Sequence, residues 1–339
     1  MMSLSRRQFS ILMSSFLFAA CGKTEEPFRL EMDMFDEKYS ELISNKSVAK
    51  IIAEGFQWSE GPTWDFDREC LYFTDVPQNK AYRWSEKSGF DVFLSPSGLD
   101  NVEGFREPGA NGLFFDKNSR RLLVCNHGRR AIEWLDIETK KRELIIGKYQ
   151  GSPFNSPNDI VASKAGDVFF TDPPYGLEGL NDSPLKKLRF NGVYHLSPNG
   201  NLQVIDDGLT FPNGILLSPD EKTLYVSQSD PTAPITMRYR LGTENVVESK
   251  EVFYDFSKHM KTDAHGLPDG MSIDKDGVIF ATGPGGIYSL SPQGVLLGKI
   301  NLDRASSNCA FGGDGSTLFV TNQDRILKIE TKTSGLKWN

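Results

Sequence analysis

From about residue 55 onward, short runs of alternating apolar and polar residues recur along the chain, separated by turns rich in Gly, Asp, Asn and Ser. Strongly apolar stretches end these runs, for example at residues 71–74, 122–125 and 168–171. Long helical periodicity is almost absent over the same part of the sequence. An alternation with a period of two residues, bounded by turn-forming residues, is typical of β-strands. The pattern therefore predicts an all-β protein.

The predicted strands are organised in a repeat. Each unit opens with a polar residue followed by a small or polar one, and a strong strand comes later in the same unit. The six openings are Glu60, Asn111, Asn158, Asn213, Asp269 and Asn308. A unit of roughly 40–55 residues with about four strands has the size of a propeller blade. The repeat predicts a six-bladed β-propeller over residues 49–335, and we expect an early strand at residues 49–53 to close the ring against the last blade.

The N-terminus carries a different pattern. Residues 1–20 combine Arg6 and Arg7 with an apolar run that is too short for a normal transmembrane helix, so they predict an export signal. The stretch SRRQF resembles a twin-arginine signal. Small residues precede Cys21 as in a lipoprotein cleavage site, so we expect lipidation there, with a chance cysteine after an ordinary signal as the alternative. Residues 21–48 predict a polar tether with one short helix at residues 37–43. The protein is expected in a bacterial periplasm or cell envelope.

Composition narrows the possible functions. The 339 residues include 23 Phe and 10 Tyr, which is enough apolar surface for a large core and argues against disorder. The formal net charge is −7 and no basic cluster follows the signal, which argues against nucleic-acid binding. Membrane contact is expected only through the lipid anchor, and the propeller is expected to be a monomer. With four His and four Cys, any metal site would use oxygen ligands, which favours hard cations such as calcium.

The repeat openings predict where such a site would lie. Blades are related by rotation about a central axis, so equivalent residues of the six units form a ring. All six opening residues have oxygen in their side chains, and two of them are carboxylates. A ring of this kind suits a divalent cation. The alternative is that Asn-Gly and Asp-Gly pairs only form turns, although Glu60 is not a turn-forming residue.

Four short motifs, in order, resemble the gluconolactonase/regucalcin (senescence marker protein) family over roughly residues 50–330. They are SEGP at 59–62, SPND at 156–159 with FTDPPYG at 170–176, FPNG at 211–214 and LPDGM at 267–271. The resemblance implies a six-bladed propeller with one divalent ion on its axis. By likeness, Glu60, Asn213 and Asp269 match direct metal ligands. Asn158 matches a residue beside the metal that contacts the substrate, and Asp269 also matches the general base.

The resemblance implies a metal-dependent hydrolase that opens a lactone ring, such as the aldono-1,5-lactone gluconolactone. In this reaction the metal would polarise the carbonyl of the lactone, and Asp269 would assist the attack of water. Asn158 would orient the substrate. Calcium is favoured as the metal, with zinc, manganese and magnesium left open. Asn111 and His127 are candidate substrate-binding residues, with a structural hydrogen bond as the alternative for His127. A related esterase or organophosphate hydrolase, and a non-catalytic propeller that binds a sugar or a partner, remain alternatives.

Overall fold

The computed structural model describes residues 26–261 and 264–336. The export signal predicted at residues 1–20 and the lipidation predicted at Cys21 lie outside the described residues and stay predictions. Within the described part of the chain, no helix is both long and apolar enough to cross a membrane.

Six antiparallel sheets form the blades of a β-propeller, which confirms the predicted fold class. Before the first blade come β1 (Phe28–Arg29), β2 (Glu31–Met34), α1 (Tyr39–Leu42) and β3 (Val48–Glu54). Blade 1 contains β4 (Ser59–Asp65), β5 (Cys70–Asp75), β6 (Lys80–Ser85) and β7 (Gly89–Leu94). Blade 2 contains β8 (Ala110–Asp116), β9 (Arg121–Asn126), β10 (Ala131–Asp136) and β11 (Arg142–Ile146). A small hairpin of β12 (Lys148–Tyr149) and β13 (Ser152–Pro153) follows.

The second half of the chain repeats the same plan. Blade 3 contains β14 (Ile160–Ala162), β15 (Val168–Asp172), β16 (Gly192–Leu196) and β17 (Leu202–Asp206). Blade 4 contains β18 (Pro212–Leu217), β19 (Thr223–Gln228), β20 (Ile235–Leu241) and β21 (Val247–Asp255). Blade 5 contains β22 (Met271–Ile273), β23 (Ile279–Gly283), β24 (Gly286–Leu290) and β25 (Leu296–Asn301). Blade 6 contains β26 (Asn308–Gly312), β27 (Thr317–Asn322) and β28 (Arg325–Glu330). Short 3₁₀ helices lie at Leu180–Asp182, Thr243–Asn245 and Ser257–His259.

The first strands of consecutive blades contact one another in a closed circle, so β4, β8, β14, β18, β22 and β26 surround the central axis. The ring closes where β3, from the start of the chain, pairs antiparallel with β28 of the last blade. In this register Ile326 faces Ala53 and Ile329 faces Ala49. The predicted closing strand is therefore confirmed. A hydrogen bond of 2.6 Å from Ser307 Oγ to the Ser59 carbonyl also joins blade 6 to blade 1.

The structure differs from the expected polar tether over residues 26–48. β1 pairs with β3, and β2 pairs with β25 as a fifth strand of the blade 5 sheet. Four apolar side chains of this segment are buried against blades 5 and 6, namely Leu30, Tyr39, Leu42 and Ile43. The charged residues around them are mostly exposed. These charged residues make the segment polar in composition, which is why the sequence suggested a tether. These residues are thus part of the folded domain.

Apolar clusters fill the interfaces between neighbouring blades. Tyr72 of blade 1, for example, packs with Leu113 and Val124 of blade 2, and Phe169 of blade 3 packs with Val226 of blade 4. Comparable clusters lie at the other four interfaces of the described chain. Because each blade buries both of its faces in this way, the ring holds the inner strands in fixed positions.

Candidate active site

A pocket of about 700 Å³ is lined by the start of the inner strands. Five of the six repeat openings contribute to it: Glu60, Asn111, Asn158, Asn213 and Asp269. The sixth, Asn308, does not line the pocket. Its Oδ1 accepts a hydrogen bond from the Cys309 backbone N–H, and its side chain also bonds the carboxyl of Asp159. The structure therefore brings five of the six predicted ring residues together in one pocket, and Asn308 is the exception.

The ring residues do not form turns. Glu60, Asn111 and Asn213 lie within β4, β8 and β18, where the pairing register shifts beside each of them. A shift of this kind is a β-bulge, which redirects a side chain out of the regular alternation. The bulges therefore turn these side chains toward the axis, and this explains why a polar residue recurs at the mouth of an inner strand.

The blades also support one another's ring residues. Thr74 of β5 donates a hydrogen bond to the carbonyl of Asn111, and Thr171 of β15 donates one of 2.6 Å to the carbonyl of Asn213. Gly214 lies so close to the next blade that a Cβ there would be 2.1 Å from the carbonyl oxygen of Asp269. The small residue after a ring position thus makes room for the next ring residue.

Of the two ring carboxylates, Glu60 is buried and Asp269 is partly buried, and they repel each other. Burial, together with the charge of Asp159, raises the pKa of Glu60 to about 8. Burial and the charge of Glu60 raise the pKa of Asp269 well above its usual value. Such shifts arise where carboxylates lie close together and away from water. The pocket floor therefore favours binding of positive charge.

Asn213 supplies a further acceptor. Its Nδ2 donates a hydrogen bond of 2.9 Å to Ser229 Oγ, while its Oδ1 is buried and has no hydrogen-bond partner. Buried acceptors are rarely left without a partner. Two carboxylates and an unpartnered amide oxygen form a donor set that fits a hard divalent cation. Among the described residues, no group of three or more His, Cys, Asp and Glu side chains could hold a metal, so a site here depends on the amides.

The wall of the pocket is more apolar than its floor. Its apolar and aromatic residues are Trp58, Pro77, Tyr175, Pro231, Met260, Leu267 and Ala305. Tyr175 stacks on Phe211 with 5.6 Å between ring centroids, and Trp58 Nε1 lies 3.4 Å from Glu60 Oε1. A pocket with apolar walls and a few converging polar groups is the usual form of a small-molecule site.

Comparison with known proteins agrees with this geometry. The family model described as the SMP-30/gluconolactonase/LRE-like region matches residues 58–324, which includes all five ring residues of the pocket. The chain belongs to this family. The resemblance inferred from the four motifs is therefore confirmed.

Individual members of the family are similar over nearly the whole chain. A gluconolactonase of Zymomonas mobilis is 41% identical over 89% of this chain and 86% of its own length. A pentonolactonase of Haloferax volcanii is 25% identical over 81% of this chain and 84% of its own length. The solved structure of a gluconolactonase of Xanthomonas campestris, 27% identical, superposes with a TM-score of 0.76 and covers 91% of this chain and 98% of its own.

The structure does not bring His127, a candidate substrate-binding residue, to the wall of the pocket. It is fully buried behind Asn111 and is not part of the pocket wall, because Gly176 of the loop after β15 packs directly over its ring. The alternative interpretation, a buried hydrogen-bonding residue, describes its position.

Sequence reasoning missed three charged residues near the site. Arg106 and Glu107 line the pocket from the loop before β8, and no motif marked them. Asp159 lies beneath the floor, where it accepts hydrogen bonds from the backbone N–H groups of Ile160 and Ile215. The sequence does distinguish the position of Asp159. Asp follows Asn158, whereas Gly follows four of the other ring residues.

Proposed function

We propose that the protein is a lactone hydrolase that opens the ring of a sugar lactone, such as an aldono-1,5-lactone. The observation that carries this proposal is the convergence of Glu60, Asp269 and the unpartnered Asn213 Oδ1 on one pocket. The gluconolactonase and pentonolactonase names of the relatives support the substrate class. A ligand with several hydroxyl groups also suits a floor that is lined by carboxylate and amide groups.

We propose that Glu60, Asn213 and Asp269 would hold one divalent cation, with Asn158 beside them. When bound there, a cation supplies a Lewis acid that polarises the carbonyl of the lactone. Oxygen ligands favour calcium. Zinc, manganese and magnesium are the alternatives that metal reconstitution would distinguish.

Asp269 would act as the base. As the oxygen of a water molecule attacks the carbonyl carbon, the Asp269 carboxylate accepts a proton from that water. The bond between the carbonyl carbon and the ring oxygen then breaks, and the ring oxygen takes up a proton to become a hydroxyl group. Asn158, at the edge of the same floor, would orient the lactone so that its carbonyl faces the attacking water.

Replacement of Asp269 by Asn tests the proposal, because Asn keeps the shape of the side chain but cannot take up the proton. We expect turnover of glucono-1,5-lactone to fall by roughly 10²–10⁴-fold, measured as acid release at constant pH. The matched control is Asp91→Asn, which neutralises an exposed carboxylate on β7 and is expected to leave turnover unchanged. Circular dichroism checks that both variants are folded.

The same assay separates the alternatives. Protein treated with a chelator should lose activity and regain it with one of the four metals. Unchanged turnover in Asp269→Asn would reject the assigned base, and full activity after chelation would reject the metal. A wild-type protein that binds the lactone without hydrolysing it would instead support the non-catalytic propeller.

A further inference from the structure

His127 is held rigidly beneath Asn111. It directly follows β9, and its backbone N–H donates a hydrogen bond of 3.1 Å to the Gly109 carbonyl. On its other side, a Cβ at Gly176 would lie 2.8 Å from both Cβ and Cγ of His127. His127 Nε2 lies 3.2 Å from Nδ2 of Asn111. The imidazole ring therefore has one fixed orientation, with one nitrogen directed at the Asn111 amide.

The other ring nitrogen faces a carboxylate. His127 Nδ1 is buried and lies 3.8 Å from Oε2 of Glu107, and the backbone carbonyl of Glu107 also interacts with the imidazole as an acceptor. Glu107 is itself oriented by Arg106, whose Nε and Nη2 both donate to Glu107 Oε1. Its second carboxylate oxygen is thereby left directed at the histidine.

This arrangement selects one tautomer of His127. Burial lowers the pKa of His127 to about 3, so the ring is neutral and carries a single proton. With the proton on Nε2, the lone pair of Nδ1 would point at the Glu107 carboxylate, which is electrostatically unfavourable. With the proton on Nδ1, the ring N–H points instead at two acceptors of Glu107, its carboxylate and its backbone carbonyl. The bare Nε2 must then accept a hydrogen bond, and the Asn111 amide can provide one only through Nδ2.

We propose that Glu107 and His127 are positioning residues that hold the Asn111 amide with its carbonyl oxygen toward the pocket, where it accepts a hydrogen bond from a hydroxyl group of the substrate. The substrate class in this statement rests on the proposed lactonase function. The orientation of Asn111 does not, because it follows from the contacts of three side chains. Without the His127 ring, Asn111 would be free to turn its N–H groups to the pocket, where they cannot accept a hydroxyl proton.

The consequence is selectivity for hydroxylated lactones. A pocket that presents a fixed acceptor favours a ligand with a matching donor, and it leaves that acceptor unpartnered with a ligand that lacks the donor. We therefore expect the protein to prefer glucono-1,5-lactone to δ-valerolactone, which has the same ring without hydroxyl groups. This preference should depend on His127 and Glu107.

Steady-state kinetics of His127→Phe and Glu107→Gln with both lactones test the selectivity. We expect KM for glucono-1,5-lactone to rise about tenfold in His127→Phe, the equivalent of one hydrogen bond, and to rise less in Glu107→Gln, with kcat/KM for δ-valerolactone changed less than about twofold in both. His195→Phe is the control, because His195 is a buried histidine of blade 3 bonded to Asp167, away from the pocket. Equal losses on both lactones, or a changed preference in the control, would overturn the proposal.

Nitrogen-15 NMR of protein labelled at histidine reads the tautomer directly. The signals of His127 are assigned by their loss in His127→Phe. We expect Nδ1 protonated and Nε2 bare in the wild type, and a larger share of the Nε2-protonated tautomer in Glu107→Gln, where only the backbone carbonyl of residue 107 still favours a proton on Nδ1. A wild-type His127 protonated at Nε2 would overturn the proposal even if the protein hydrolyses lactones. The expected tautomer in a protein without lactonase activity would contradict only the proposed function.

Discussion

A single atom of Asn213 shows how the site is preorganised. Ser229 Oγ donates its proton to the Pro268 carbonyl at 2.6 Å, so it can only accept from Asn213 Nδ2. This contact fixes the amide and leaves Oδ1 buried without a partner. An unpartnered buried acceptor destabilises the protein by about 1–3 kcal/mol. A bound cation would remove that cost, so metal binding and folding stability are expected to be linked at this residue.

Thermal unfolding with and without metal measures this link. At a calcium concentration 100 times the dissociation constant, the native state gains about 2.7 kcal/mol, and we expect Tm of the wild type to rise accordingly. In Asn213→Ala the rise should be much smaller because one ligand is lost. Asn201→Ala, in an exposed turn, should respond like the wild type. An equal rise in Tm for Asn213→Ala and the wild type would exclude Asn213 as a ligand.

Asp206 links stability to pH, away from the pocket. Burial alone would raise its pKa, but hydrogen bonds from the Gly208 N–H, Lys250 and Tyr239 outweigh burial and lower it. The unfolded chain therefore takes up a proton at higher pH than the native protein. This contribution is present above pH 4 and is lost as the pH falls through the native pKa.

Urea unfolding of Asp206→Asn across pH 3 to 7 tests this linkage. We expect the variant to be less stable than the wild type near neutral pH. The difference in the free energy of unfolding should shrink on acidification, because the wild type loses the charged hydrogen bonds that the variant lacks at every pH. A difference that stays constant from pH 7 to pH 3 would contradict the lowered pKa.

At the scale of elements, the segment before blade 1 is the main surprise. β2 has four residues, of which two are acidic, and it pairs with β25 through Met32 opposite Ile300. α1 is a single turn, and it places Tyr39 and Leu42 against blades 5 and 6. β2 has no local sequence signal strong enough to predict it, whereas a short helix was predicted at residues 37–43, where α1 lies. Both exist because an already formed sheet offers them an edge and an apolar surface.

Leu42→Ala measures whether this segment belongs to the folded domain. Removal of a buried leucine side chain is expected to lower the free energy of unfolding by about 2–5 kcal/mol, as determined from urea denaturation. Met34→Ala is the matched control, since Met34 is 60% exposed on β2 and its truncation should change stability by less than about 0.5 kcal/mol. No effect of either substitution would restore the interpretation of these residues as a tether.

The contrast between the blades and this segment shows which parts of the structure could be predicted from the sequence. Alternation and turns are local, so six blades were predictable, and the convergence of Glu60, Asn213 and Asp269 followed from rotational symmetry. The buried position of His127 could not be predicted from the sequence, because it is Gly176, in a loop of the next blade, that covers it. Arg106 and Glu107 reach the pocket from a loop between blades, where no repeat marks a position.

On the scale of the whole molecule, the ring depends on its closure. β3 is separated from β28 by most of the chain, yet it completes the blade 6 sheet and buries Ala53 and Ile326 at the interface with blade 1. Every ring residue is held by contacts to a neighbouring blade, so displacement of one blade from its neighbour would move ligands apart. Closure of the ring is therefore expected to matter for the site as well as for stability.

Deletion of residues 1–54 removes β3, together with β1, β2 and α1, and leaves β28 as an open edge with Ile326 and Ile329 exposed. We expect this variant to unfold at lower urea concentration with a less cooperative transition, and to lose the rise in Tm with calcium. A chain that starts at residue 26 is the control, and it should unfold like the full-length protein.

A circular permutant separates the closing strand from the covalent start of the chain. Residues 26–54 are attached after residue 336 through a flexible linker, so β3 can still pair with β28 in the same register. Because pairing, and not chain order, closes the ring, this permutant should regain both the cooperative transition and the response to calcium. If it unfolds like the deletion variant, the connection from β3 to blade 1 is itself required. If the deletion variant matches the control, closure does not hold the site together.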